Sequence, residues 1–281
     1  MDADTYRADS HERWTRAAQG WGERRAELQR IAQRVSLRML ELVALQPGQR
    51  VLELAAGPGD TGLLAAELVA PGGGVIISDF AEPMVDVARA RATELGVRNV
   101  EFRVIDAESI DVPAAAVDAV LCRWGYMLMA DPAAALQETR RVLRPGGRVA
   151  LAAWDRPDLN RWASELGRAL VVRGLTPPPE PDAPGMFAFS PEGRIEGLLE
   201  AAGFSDIAVE GLALEYRFDD FEHYWGAMVD LNRPLGDAVA TMDDDVLEEL
   251  RTAVRDAFAN ETTADGAIEI PARTLVASAT A

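Results

Sequence analysis

Between Arg50 and Trp154 the chain repeats one unit with little variation: a short apolar run, a turn rich in glycine or acid, an amphipathic helix, then the next apolar run. Arg50 to Ala55 reads as a first strand and Thr61 to Val69 as its helix. Gly74 to Ser78 follows as a second strand, with a helix from Pro83 to Leu95. Val100 to Ile105 and Ala119 to Cys122 give a third and a fourth. A helix over Pro132 to Leu143 then turns at Pro145-Gly146-Gly147 into a fifth strand, Arg148 to Trp154. Strands alternating with helices of about three turns require crossover connections, and these produce a parallel sheet with helices on both faces. The expected class is α/β, with a Rossmann-like doubly wound sheet.

The flanks obey other rules. From Tyr6 to Leu45 apolar residues recur at helical spacing, notably Leu28, Ile31, Val35, Leu40 and Val43, until Pro47-Gly48 stops the pattern. Beyond Trp154 the rhythm loosens. Residues 176–189 carry Pro177, Pro178, Pro179, Pro181 and Pro184 and read as an exposed loop. Ser190-Pro191 resembles a cap followed by proline at a first helical position, opening a helix to Ala202 that Gly203 ends. Ile207 to Phe218 reads as a strand, residues 221–260 as inserted helices, and Ile268 to Ser278 as the last strand. The expected division is a helical cap over 1–45, a Rossmann-like core over 46–218, a helical lid over 219–266 and a returning core strand over 267–281.

Composition removes several function classes. The 281 residues carry a net charge of −18, which repels a nucleic-acid backbone, so no nucleic-acid partner is expected. All 28 basic residues are arginine, a bias of coding rather than of chemistry. One cysteine and two histidines leave no thiolate or imidazole cluster for a metal. Asp243-Asp244-Asp245 is better suited to capping the helix that follows than to holding a cation. Charged residues interrupt every apolar stretch, and the N-terminus lacks the pattern of a secretory signal. A cytoplasmic protein without a membrane partner is expected, and a homodimer is left open.

The most informative stretch is Glu53-Leu54-Ala55-Ala56-Gly57-Pro58-Gly59-Asp60-Thr61-Gly62, between the first strand and its helix. Gly57 and Gly59 allow a ligand close to the backbone, and Glu53 can accept hydrogen bonds from an ammonium group. Asp79 ends the second strand, following Gly59 at roughly the 20-residue spacing at which a carboxylate takes ribose hydroxyls. Capping of the next helix is its alternative role. Asp106 ends the third strand, where a carboxylate suits an adenine amino group. An acid at Glu53 disfavours a dinucleotide, whose pyrophosphate it would repel, and favours a cationic ligand.

These runs, with Ser78-Asp79-Phe80, Ile105-Asp106-Ala107-Glu108 and Leu143-Arg144-Pro145-Gly146-Gly147-Arg148, resemble class I S-adenosylmethionine-dependent methyltransferases of the UbiE/COQ5-like (methyltransferase type 11) group. The resemblance covers roughly residues 45–155 and implies the family's seven-stranded fold with S-adenosyl-L-methionine as cofactor. It implies that Glu53, Gly57 and Gly59 hold the methionine part, and that Asp79 takes the ribose. Phe80 and Met84 would flank the adenine, and Asp106 with Ala107 would read its edge. Ala55 stands where the family has its first loop glycine. Arg123, after the fourth strand, is placed with the cofactor residues, with Asp106, Glu53 or an acidic substrate group as its partner.

For the chemistry, His11 and His223 are the two candidate general bases, though a lone histidine is more often a surface or structural residue. Tyr126 and Met127 after the fourth strand, Trp14 in the N-terminal helix and Trp225 in the lid are candidates for a substrate pocket. An aromatic lining suits a flat, apolar natural-product-like molecule, methylated on oxygen, nitrogen or carbon. The alternative is a protein that binds the cofactor but catalyses a cyclisation or hydroxylation.

Overall fold

The computed structural model describes residues 2–178, 180, 183–231 and 233–281, with the backbone alone for Arg233 and Pro234. Pro179 and Pro181 of the expected proline loop, and Asn232 of the expected insertion, lie outside the described residues.

Two helices open the chain, α1 (Ala3–Glu23) and α2 (Arg25–Val43). The helical pattern over residues 6–45 is not continuous. It divides at Arg24, whose backbone N–H donates to Gly20 O at 3.0 Å, just after two glycines that weaken a helix interior. Asp2 caps α1 by accepting from Thr5 N at 3.0 Å.

The alternating region follows as β1 (Arg50–Glu53), α3 (Asp60–Leu68), β2 (Gly74–Asp79), α4 (Glu82–Leu95), β3 (Val100–Val104), β4 (Val117–Arg123), α5 (Pro132–Val142) and β5 (Leu143–Trp154). Next come α6 (Arg161–Val172), α7 (Arg194–Ala201), β6 (Ser205–Phe218), α8 (Phe221–Leu231), α9 (Arg233–Val239), α10 (Asp244–Ala257) and β7 (Ile268–Thr280). Two departures from the sequence reading stand out. Residues 161–172 form a helix where no element was expected. The helix expected from Ser190 starts only at Arg194, because Pro191 to Arg194 closes a turn and Gly193, at φ +74°, interrupts the backbone.

The seven strands form one sheet in the order β3-β2-β1-β4-β5-β7-β6. Strands β1 to β5 pair in parallel, and β7 runs antiparallel to β5 from Arg148↔Thr280 to Trp154↔Thr274. The central strands are covered on both faces, so Val51, Leu52, Val120 and Leu121 have no solvent exposure. Strand order reverses between β1 and β4, and in such sheets ligands bind at that switch point, beyond the carboxyl ends of the strands.

The chain separates into two compact units. The first comprises Met1–Trp154, Pro184–Leu212 and Thr274–Ala281 and contains the parallel strands. The second, Asp155–Ala183 with Ala213–Arg273, joins α6 to the inserted helices. Its interior is aromatic: Trp162 stacks on Tyr216 with ring centres 4.1 Å apart, and Tyr224 donates its hydroxyl to Trp162 O at 3.0 Å. Asn160 is wholly buried there, donating to Arg273 O at 2.9 Å and accepting from Arg273 N at 3.1 Å.

Candidate active site

The switch point carries a pocket built within the first unit. Its floor is the loop Ala55-Ala56-Gly57-Pro58 after β1, with Asp79 and Phe80 after β2 and Ile105-Asp106-Ala107-Glu108 after β3. Arg123, Trp124 and Gly125 after β4 form another wall, and α1 contributes Tyr6, Arg7, Ser10, Trp14 and Trp21.

The loop needs unusual backbone. Gly57 and Gly59 have φ of +52° and +79°, which glycine adopts without cost. A Cβ on Gly57 would meet nothing within 4 Å, so its outer side is open to a ligand, whereas one on Gly59 would lie 2.9 Å from Ala88 Cβ. Ala55 also takes a left-handed conformation, at φ +48°, and keeps the turn that a glycine would make.

Glu53 closes β1 and is 2% exposed. Its Oε2 accepts no hydrogen bond among the described residues. Burial pushes its carboxyl up to about 8, although Arg123 opposes the rise. Gly62 lies against it so closely that a Cβ there would collide with the carboxylate. A buried carboxyl with one unbonded oxygen is suited to a cationic group from a ligand.

Asp79 is 6% exposed and works on the protein's own backbone, its two oxygens accepting from Gly57 N at 2.9 Å and Ala81 N at 3.0 Å. One carboxylate thus pins the glycine loop and the turn before α4, whose cap position is Ala81 and carries no side-chain cap bond. Each oxygen keeps a second lone pair for a hydroxyl. Burial raises its carboxyl above the ordinary range. Asp106 is exposed and accepts from Glu108 N at 2.9 Å, and Ala107 beside it is buried. Phe80 and Met84 join Ala18, Ala81, Trp14 and Trp21 in one apolar cluster.

The remaining candidates separate. Trp14 lines the pocket, and exposed His11 sets its ring edge-on to Phe80 at 5.4 Å without lining it. Tyr126 and Met127 are buried outside the lining, and Tyr126 shares a 2.6 Å hydrogen bond with Thr139. His223 and Trp225 belong to the second unit. There His223 Nδ1 accepts from Asp219 N at 3.2 Å, and Arg251 lies over the Trp225 ring at 4.9 Å. Asp243 precedes α10 as its cap residue but makes no side-chain cap bond. Cys122 is buried, with its thiol pushed up to about 12 by burial.

Sequence reasoning missed two features. Arg7 donates Nε and Nη2 to Glu108 Oε2 at 2.8 and 2.6 Å, and Tyr6 donates its hydroxyl to Leu128 O at 2.9 Å. These bonds tie α1 to two sides of the pocket. The spacing of Tyr6, Ser10 and Trp14, one helical face, was the available signal. Trp124 is the other omission. It sits at φ +61°, rare for a bulky side chain, and is held by a 4.4 Å stack on Trp154 and an Nε1–H bond to Thr274 Oγ1 at 3.0 Å.

Residues 51–147 match the Methyltransferase domain family. That match spans the glycine loop and the strand ends carrying Glu53, Asp79 and Asp106. Over 182 residues the chain is 34% identical to a nocamycin O-methyltransferase from Saccharothrix syringae, covering 62% of this chain and 65% of that protein. Over 116 residues it is 36% identical to the ubiquinone/menaquinone biosynthesis C-methyltransferase UbiE of Coxiella burnetii, covering 41% of this chain and 46% of that one. The chain thus spans about half to two thirds of the length of these curated relatives. The [4+2]-cyclase SpnF shares the fold, with a TM-score of 0.55, 20% identity and coverage of 88% and 80%. No helix among the described residues is long and apolar enough to cross a membrane.

Proposed function

We propose that this protein transfers a methyl group from S-adenosyl-L-methionine to oxygen, nitrogen or carbon of a small apolar or aromatic molecule. One observation carries the reading: a buried carboxyl with one unbonded oxygen, Glu53, ends β1 beside an open glycine loop, with further acids at the ends of β2 and β3. Glu53 would hold the ammonium of the methionine tail, Asp79 the ribose hydroxyls, Phe80 and Met84 the adenine faces, and Asp106 with Ala107 its edge. When bound, the cofactor supplies an activated methyl group.

The chain's own work is then positioning and exclusion of water. Trp14, Trp124 and Leu128 give the pocket apolar walls, and α1 shields one side. The named O- and C-methyltransferase relatives support a small organic acceptor. The shared fold with SpnF supports a second reading, in which the bound cofactor is retained while a ring closure is catalysed.

Calorimetric titration with S-adenosylmethionine, S-adenosylhomocysteine and NADH, on the protein and on Asp79→Asn, tests the cofactor assignment. Micromolar binding of both adenosyl ligands, weakened at least about tenfold in the variant, is expected. A folded protein that binds neither would refute it. Turnover of an aromatic acceptor panel, followed by release of S-adenosylhomocysteine, separates methyl transfer from the cyclase reading.

A further inference from the structure

Glu53 answers only half of an amino-acid tail, which carries a carboxylate as well as an ammonium. Consecutive residues at the start of α3 bring a cation to the same place. Gly62 packs against the Glu53 carboxyl, and Thr61, one residue earlier, accepts a hydrogen bond from Arg123 Nε at 3.1 Å. Thr61 is wholly buried, and its Oγ1 lies 2.9 Å from Ser36 Oγ, so this anchor is itself fixed. Arg123 lines the pocket, and its guanidinium rests over the Trp124 ring, 4.8 Å from the centroid.

Trp124 explains how the guanidinium keeps its direction. A left-handed backbone is strained at a bulky residue and persists only where the surroundings impose it. Here the Trp154 stack and the Thr274 bond impose it, and the indole they fix is the surface on which Arg123 lies.

Resting on the cofactor reading above, we propose that Arg123 binds the carboxylate of the ligand's amino-acid tail while Glu53 binds its ammonium, and that Trp124 is the residue positioning Arg123. The pair reads a zwitterion, one charge by each side chain, and so distinguishes a ligand with an intact amino-acid tail from one without. A guanidinium suits this because its planar fork matches a carboxylate.

The test uses two ligands that differ only in that carboxylate: S-adenosylmethionine and its decarboxylated form. Both are titrated calorimetrically into the full chain and into Arg123→Gln and Arg123→Lys, with circular dichroism to check folding. Arg123→Gln is expected to weaken S-adenosylmethionine about 10- to 100-fold more than the decarboxylated ligand, which feels only the change at Glu53, with Arg123→Lys between. Equal weakening of both ligands, or of neither, would overturn the assignment while leaving the cofactor reading intact. Failure of the unaltered protein to bind either ligand would overturn both.

Discussion

Ala55 and Gly125 stand against each other beyond the ends of β1 and β4: a Cβ on Gly125 would lie 2.6 Å from the Ala55 Cβ and 2.7 Å from Cys122 Sγ. The methyl group of Ala55 is thus accommodated by a glycine 70 residues later, at the end of the neighbouring strand. Gly125→Ala is expected to destabilise the protein by about 1–3 kcal/mol through overpacking. Ala55→Gly should have the opposite sign. Releasing a left-handed alanine gains about 1–2 kcal/mol, offset by about 0.5–1 kcal/mol of extra chain entropy. In the double variant the cost of Gly125→Ala should fall without vanishing, since Cys122 still opposes the new methyl. Denaturant unfolding of the four proteins gives the coupling directly; strict additivity would count against the contact.

Glu53 sets a pH dependence whose sign follows from its raised pKa. In the unfolded chain it ionises near its ordinary value of 4.5, whereas the folded protein holds the proton to about 8. The folded state therefore binds more protons between these values, and its stability falls as pH rises through that window. Glu53→Gln should flatten that part of the unfolding profile. Cofactor binding should run the other way, because a carboxyl must ionise before it can pair with an ammonium. Affinity for S-adenosylmethionine should rise with pH, by up to about tenfold per unit, until about pH 8. Titrations in buffers of different ionisation heat should show a proton released on binding. An unchanged heat across buffers at pH 6.5 would remove Glu53 from the ammonium site.

The Arg7–Glu108 pair should govern how firmly α1 covers the pocket. Glu108 is 8% exposed at its side chain and Arg7 37%, so the bond is screened on one side only. Arg7→Met keeps the aliphatic stem but breaks the pair. Hydrogen exchange of the α1 amides near Tyr6 should become faster, and S-adenosylhomocysteine should dissociate roughly 3- to 10-fold faster. Unaltered exchange would mean that the Tyr6 bond to Leu128 and the Trp14–Trp21 cluster hold the helix without it.

By itself, the sequence determined the alternation of strands and helices over residues 50–154, and hence the parallel sheet and the strand ends that carry Glu53, Asp79 and Asp106. Those features depend on local periodicity, on glycine at turns and on the fixed place of a residue in its own strand, which neighbouring residues specify. The tertiary structure decided which distant residues share the pocket. Nothing near Arg7 announces Glu108, nothing near Ala55 announces Gly125, and the indole of Trp124 is fixed by Trp154 and Thr274 from two other strands. It also withdrew Tyr126 into the core, where a hydroxyl bond to Thr139 satisfies it, and gave residues 161–172 a helix. The physical reason is the same in each case. Periodicity tells a side chain which face of its own element it occupies, but the partner on that face is chosen only when the elements pack.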